Sequence, residues 1–345
     1  MTTNSQTFTF DTDTDAHFRA WGLGISTAFA ACGLVQTTDT GQINWSTVTR
    51  TGPTSSGQQI SGYEIWRFND SLQATKPVFI KVEYGLNVFS AGSARIPCVI
   101  TSTATATNGA GTLTIPATTS PRQYWLGSTQ GDPGTGNQAG VISASSPLLM
   151  QGDGSSVVAA IGAQAVFQPT YANPSGWSFG PNFPAFLLIE RTRDTAGVIN
   201  GDGLIVGTVH YEPPGGSGIY NAATQGHSPV PAWQMVSYTG SGLGAVSSRW
   251  PIAWPGNAFS TAVSGSDLYA YPMPVATPKA EGQALGFLGI YKSDLAIDTI
   301  ISLTVSGSAH TYRSLAGIAG IATNNNERSY VDSNVANGAL LMRWE

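Results

Sequence analysis

Charge is what this sequence has least of. Fifteen Lys and Arg and twenty Asp and Glu are spread over 345 residues, 10% of the chain, where about a quarter is usual for a globular protein. Basic residues form no cluster, and the net charge is −5. Nucleic acid is therefore excluded as the main partner, because phosphate binding draws on clustered Lys and Arg. Long apolar runs are missing too, and none approaches the ~20 residues that span a bilayer. The start, Met1 to Gln6, lacks the charged and apolar regions of a secretory leader. The expectation is a protein that inserts in no membrane and stays where it is made or leaves by lysis. Cysteine is nearly absent. Cys32 and Cys98 are far apart and lie among small or apolar neighbours, which excludes a disulfide framework and predicts buried free thiols, a crosslink being the alternative.

The residues needed for chemistry are equally sparse. His17, His210, His227 and His310 have no Cys, Asp or second His at zinc-ligand spacing. Asp11, Asp13 and Asp15 imitate the opening of a calcium loop, but Ala16 and Gly22 stand where such a loop needs Gly and Glu. Gly176-Trp177-Ser178-Phe179-Gly180 fits a nucleophile elbow by letters alone. The required helix cannot follow it, because Pro181 and Pro184 intervene. The tract from Gly131 to Gly136 lacks the Lys-Ser/Thr ending of a phosphate loop. Glu64, Glu83 and Glu190 fall in alternating strand patterns where solvent exposure is the expectation. The expectation is therefore no catalytic residue, no metal and no cofactor.

What is present is aromatic and turn-rich: 9 Trp, 12 Tyr and 13 Phe, with 41 Gly and 20 Pro. Those rings supply more burial than a disordered chain carries. With charge scarce, Ser, Thr, Asn, Gln and Gly must cover the surface, and such a surface meets other protein at little desolvation cost. The length favours two or three compact units.

One amphipathic helix is legible near the start. Phe18, Trp21, Ile25, Phe29 and Cys32 recur at spacings of three and four, which puts them on one docking face. Thr14 or Asp15 is placed to cap it, the acids at 11, 13 and 15 suit its positive end, and Gly33 suits its stop. Gly22 and Gly24 weaken it by about 1 kcal/mol each relative to Ala, so it needs a partner packed close to its backbone.

Strands follow. Tyr63–Phe68 and Val78–Tyr84 alternate, with Gly85 ending the second run, and Asn108-Gly109 turns the chain toward Leu113–Ile115. The best hairpin pairs Phe186–Arg191 with Leu204–Val209 across a turn-rich segment. Residues 212 to 278 read as long loops rich in Pro, Gly and aromatics. Strands resume at Leu285–Tyr291 and Thr299–Val305, and Leu340–Trp344 closes the chain and is expected to tuck into a sheet or a neighbouring subunit. The pattern predicts a mainly β fold of sandwich- or barrel-like units with one packed helix. Its expected division is residues 1–120, a docking module, and 121–345.

The stretches Phe18-Arg19-Ala20-Trp21-Gly22, Gly33–Thr37, Asp39–Trp45 and Tyr63–Phe68, continued by Asp70–Gln73 and Phe79–Gly85, resemble the N-terminal part of structural or minor tail proteins of tailed bacteriophages. The resemblance covers roughly the first quarter of the chain. It implies a virion component, present in several copies, without a cofactor and without enzymatic activity. The expected partners are copies of itself and other virion proteins in the tail, tail tip or baseplate; a head decoration protein belongs to the same structural class. A second expectation is a receptor-binding adhesin whose Trp233, Trp250 and Trp254 stack on host surface glycan, since flat rings suit sugars; against it stands burial of the same rings as core or interface anchors.

Overall fold

The computed structural model describes residues 2–10, 14–51, 57–88, 95–116, 123–126, 144–161, 185–194, 196–210, 230–231, 234–239, 242–246, 261–262, 269–276, 281–291, 298–305, 307–317 and 339–345. Over these the protein is mainly β. The first part of the chain gives β1 (Thr2–Phe10), α1 (Asp15–Ala31), β2 (Val35–Gln36), β3 (Gly57–Arg67), β4 (Phe79–Val88), β5 (Arg95–Thr107), β6 (Leu113–Pro116) and β7 (Gln123–Leu126). Then come β8 (Ala144–Gly152), β9 (Ser156–Ile161), β10 (Ala185–Arg193), β11 (Ile199–His210), β12 (Val230–Pro231), β13 (Gln234–Thr239) and β14 (Gly242–Val246). The last are β15 (Thr261–Ala262), β16 (Tyr269–Ala276), β17 (Glu281–Tyr291), β18 (Ile300–Val305), β19 (Ser308–Gly317) and β20 (Ala339–Arg343).

Hydrogen bonding joins β2 to β7 into a six-stranded sheet and the other fourteen strands into a second network. The second network is itself folded into two layers. β1, β8, β9, β10, β11, β13 and β14 make one layer, and β16, β17, β20, β19 and β18 make the other. β10 and β17 are linked by a single residue pair, Arg193 with Gln283. Three β layers result, with β8, β9 and β10 in the middle.

Register shows why the middle layer is apolar in both strand parities. Met150, Ala159 and Leu187 lie side by side on one face, as do Val157 and Ile189. All five join the core cluster shared with α1 and the six-stranded sheet. Gln151, Val158 and Leu188 occupy the opposite face, and there the backbone of β17 comes close. A Cβ on Gly286 would sit 2.6 Å from Val158 and 2.7 Å from Leu188. Strands covered on both faces read as unbroken apolar runs, and Leu148–Met150, Val157–Ala160 and Leu187–Ile189 are all buried.

Helix α1 closes the first core. The Thr14 hydroxyl accepts a hydrogen bond from the His17 amide. At the other end Gly33 adopts φ +83°, and the Gly33 and Leu34 amides donate to Ala30 and Phe29, a Schellman stop. The close partner demanded by Gly22 is Trp45, whose ring lies 1.9 Å from where a Cβ would be. Gly24 takes a hydrogen bond through its carbonyl from Gln6 of β1.

The hairpin β10–β11 forms from the predicted segments, Phe186 opposite Val209 and Arg191 opposite Leu204, but β11 starts at Ile199, so Asn200-Gly201 and Asp202-Gly203 lie within the strand rather than in the turn. Two expectations are corrected. Gly85 lies inside β4 rather than ending it: it faces a bulge between Ile60 and Gly62, and a Cβ there would be 2.3 Å from the Gln59 carbonyl. Glycine is what lets the bulge close. The span 212–278 is not all loop, since β12 to β16 lie within it. Pro272 and Pro274 masked β16, and the strand accommodates them at a register shift against β17. Strand pairing also runs across residue 120, since β1 pairs with β8 and β7, at 123–126, pairs with β5.

Replacing Gly22 by Ala tests the helix packing. The helix gains about 1 kcal/mol of propensity, but displacing the Trp45 ring costs about 1–3 kcal/mol. The variant is therefore expected to unfold at lower urea concentration than the parent, with an unchanged denaturant slope.

Candidate functional site

Of the residues singled out for function, Phe18, Trp21, Ile25 and Phe29 are all buried, at 3% exposure or less. They pack in one cluster with Trp66, Phe68, Ile80 and Tyr84 of the six-stranded sheet and with Leu148 and Met150 of the middle layer. The docking face is thus turned onto the chain's own sheets. Trp233, Trp250 and Trp254, the candidate glycan-stacking residues, lie outside the described residues, as do the Gly131–Gly136 and Gly176–Gly180 motifs.

The polar groups that the fold gathers are carboxylates expected at the surface. Glu64 is 1% exposed. The pattern Glu64, Trp66, Phe68 places it on the inner face of β3, and its carboxylate collects four donors: Ser26 Oγ at 2.7 Å, Trp45 Nε1 at 2.9 Å, Trp66 Nε1 at 3.2 Å and Tyr84 Oη at 2.7 Å. Helix, loop and two strands meet on one side chain. Burial, reinforced by the Glu64 charge, pushes the Tyr84 phenol well above its ordinary pKa. Tyr84 is therefore a permanent donor.

Glu190 and Arg191 are neighbours on β10 and point to opposite faces of the middle layer. Both are buried. On one face Arg191 pairs with Asp70 through Nε and, at 3.1 Å, through Nη2. Its guanidinium lies 5.1 Å from the Phe68 ring centroid. Asp70 precedes the 3-10 turn Ser71–Ala74 but makes no side-chain cap there; its carboxylate is given to the ion pair. On the other face Glu190 accepts from the Gly286 amide at 2.8 Å, the Leu285 amide at 3.2 Å and Arg193 Nε at 3.1 Å. One dipeptide thereby fastens the middle layer to both outer layers.

The turn joining β8 to β9 completes this fastening. The Gly154 amide donates to the Cys32 carbonyl at the end of α1, and the Asn69 amide donates to Gly154. Asp153 accepts from the Ser155 amide and the Ser155 and Ser156 hydroxyls, and pairs with Arg193 at 3.4 Å. Burial pushes its carboxyl up, but the serine hydrogen bonds and the Arg193 charge outweigh burial and hold its pKa below the ordinary value. Cys32 is a buried free thiol, pushed up to about 12 by burial and then by the Asp153 charge. It is protonated at neutral pH and hence a poor nucleophile. The Cys98 side chain lies outside the described residues.

The third layer has its own cluster. Glu345 takes Arg343 at 3.1 Å and the Thr311 amide at 3.2 Å, lies 2.7 Å from His310 Nδ1, and donates its amide to Gln151 of β8 at 2.9 Å. Burial raises its carboxyl, but Arg343 and then His310 bring it below the ordinary value. The residues at 339–343 form a strand between β17 and β19.

Chemically these groups hold elements together. The lone pairs of Glu64 and Glu190 are spent on internal donors, and neither carboxylate is open to a substrate. Among the described residues no three His, Cys, Asp or Glu side chains gather as a metal would need, and no helix is long and apolar enough to cross a membrane. Glu64 and Glu190 are buried against expectation, because each lies on a strand face covered by another layer. The signal for burial lay in their neighbours: Glu64 shares its parity with Trp66 and Phe68, and Glu190 ends a run apolar in both parities. Comparison of the chain with known protein families, curated proteins and solved structures finds no match.

Two outcomes check this account. Asp70→Ala should cost about 3–5 kcal/mol in urea unfolding by stranding the buried Arg191, and Asp70→Leu with Arg191→Met should recover much of that. Asp153 has a folded pKa below its unfolded value of about 4. Its contribution is therefore complete above that value and is lost as pH falls through the lower folded one. The stability gap between the parent and Asp153→Asn should be widest near neutrality and shrink in acid, read by unfolding at a series of pH values.

Proposed function

We propose that the chain is a non-enzymatic structural component of a tailed-phage particle, in the tail, tail tip or baseplate. It acts by packing against copies of itself and neighbouring virion proteins, and its place of residence is the virion. The observation that carries this reading is where the few charges go. Glu64, Glu190, Arg191 and Arg343 are buried, and Asp15 with Arg50, Asp153 with Arg193, and Asp298 with Arg313 are closed within the chain. In a chain with only 10% charged residues, each charge closed inside among the described residues is one fewer at the surface, and a surface poor in charge is cheap to desolvate against another protein. The resemblance of the first quarter to tail proteins adds the setting. The same reading accounts for carboxylates placed as fasteners, since a particle part must keep its shape under load.

Mass spectrometry of purified phage particles carrying this gene should find the protein at several copies per particle, and the isolated protein should sediment as a defined oligomer. A strictly monomeric protein absent from particles would refute the proposal.

A further inference from the structure

Strand β18 ends the sheet order, and among the described residues it pairs with β19 alone. Edge strands are usually blunted by charge, proline or a bulge, because their open amides and carbonyls invite another strand. The sequence Ile-Ile-Ser-Leu-Thr-Val has neither charge nor proline, and its register with β19 runs without a bulge. Ile300, Ser302 and Thr304 are exposed, Leu303 and Val305 are buried, and Ile301 is half-buried.

We propose that β18 is a seam between subunits, pairing antiparallel with β18 of a second copy across a two-fold axis. This rests on the assembly reading and names its partner. Three features favour a second copy. First, the strand is self-complementary: with Ser302 on the axis, Ile301 faces Leu303 of the copy on the inner side, and Ile300 faces Thr304 on the outer side. Opposed residues in an antiparallel pair share a face, so aliphatic meets aliphatic within and the 51%-exposed Ile300 is covered. Secondly, no like charges meet in this pairing although the chain carries −5, whereas a charged foreign strand would find no counter-ion along β18. Thirdly, the nearby charges, Arg313 opposite Ile300 and Asp298, are paired with each other at 2.9 Å, which keeps the seam neutral.

The test is disulfide trapping on the full chain in a Cys98→Ser background, since Cys32 is a buried, protonated thiol. Ser302→Cys should crosslink to a dimer under mild oxidation, and Thr27→Cys, exposed on α1, should not. Adding Ile300→Lys and Thr304→Lys sets Lys against Lys and should cut the dimer yield about tenfold or more. Ile300→Lys with Thr304→Glu sets Lys against Glu twice and should restore it. Circular dichroism melting of both charged variants checks that folding is intact. Absence of a Ser302→Cys dimer, or equal yields from the two charged variants, overturns the seam. If the parent nevertheless sediments as an oligomer, the assembly reading stands and only the seam falls. A monomeric parent absent from particles removes both.

Discussion

The structure depends on one strand being covered on both sides. β10 runs through the middle of three layers, and a strand so placed has no solvent face on which to leave a charge. Glu190 and Arg191 nevertheless stand on it, buried and pointing in opposite directions. Isolated, either would be expensive to bury. Each is satisfied only because the layer beyond supplies the partner: Asp70 on one side, the amides of Leu285 and Gly286 on the other. The cost of stranding these groups makes the stacking of layers specific, where apolar contact alone would tolerate sliding.

Glu64 repeats the device one layer further out. Its four donors come from α1, the Trp45 loop, β3 and β4, so the helix and loop are located by hydrogen-bond direction as well as by shape. The same loop is held elsewhere by Asp39, which accepts from Thr37, Thr107 and the Gly111 amide. Burial pushes the Asp39 carboxyl up, and these hydrogen bonds together bring its pKa below the ordinary value.

Local features were legible in the sequence where a short-range rule governed them. The spacing from Phe18 to Cys32, the Gly33 stop and the turn at Asn108-Gly109 follow from periodicity and turn chemistry, and the pairing of β10 with β11 follows from their apolar runs, though not from Asn200-Gly201 or Asp202-Gly203, which lie inside β11. Long-range pairing was not legible. β1 carries the alternation Phe8, Thr9, Phe10, yet nothing local says that its partner begins at Ala144. A strand glycine such as Gly85 marks either an end or a close approach, and only the bulge opposite tells which. The clusters were missed for the same reason: Glu64, Asp70 and Glu190 find their meaning in residues far along the chain, such as Arg191 for Asp70.

The pairing of β1 with β8 also bears on biosynthesis. Thr2 lies opposite Gly152, so the first strand leaves the ribosome long before its partner. At about 5–20 residues per second that interval is roughly seven to thirty seconds. During it the strand has no ladder to join, and α1, whose stop abuts Gly154, lacks its seat. The amino-terminal portion must therefore wait on the ribosome in an unfinished state, and synonymous codon changes between 10 and 144 that alter translation speed would shift the yield of folded chain without changing one residue of it.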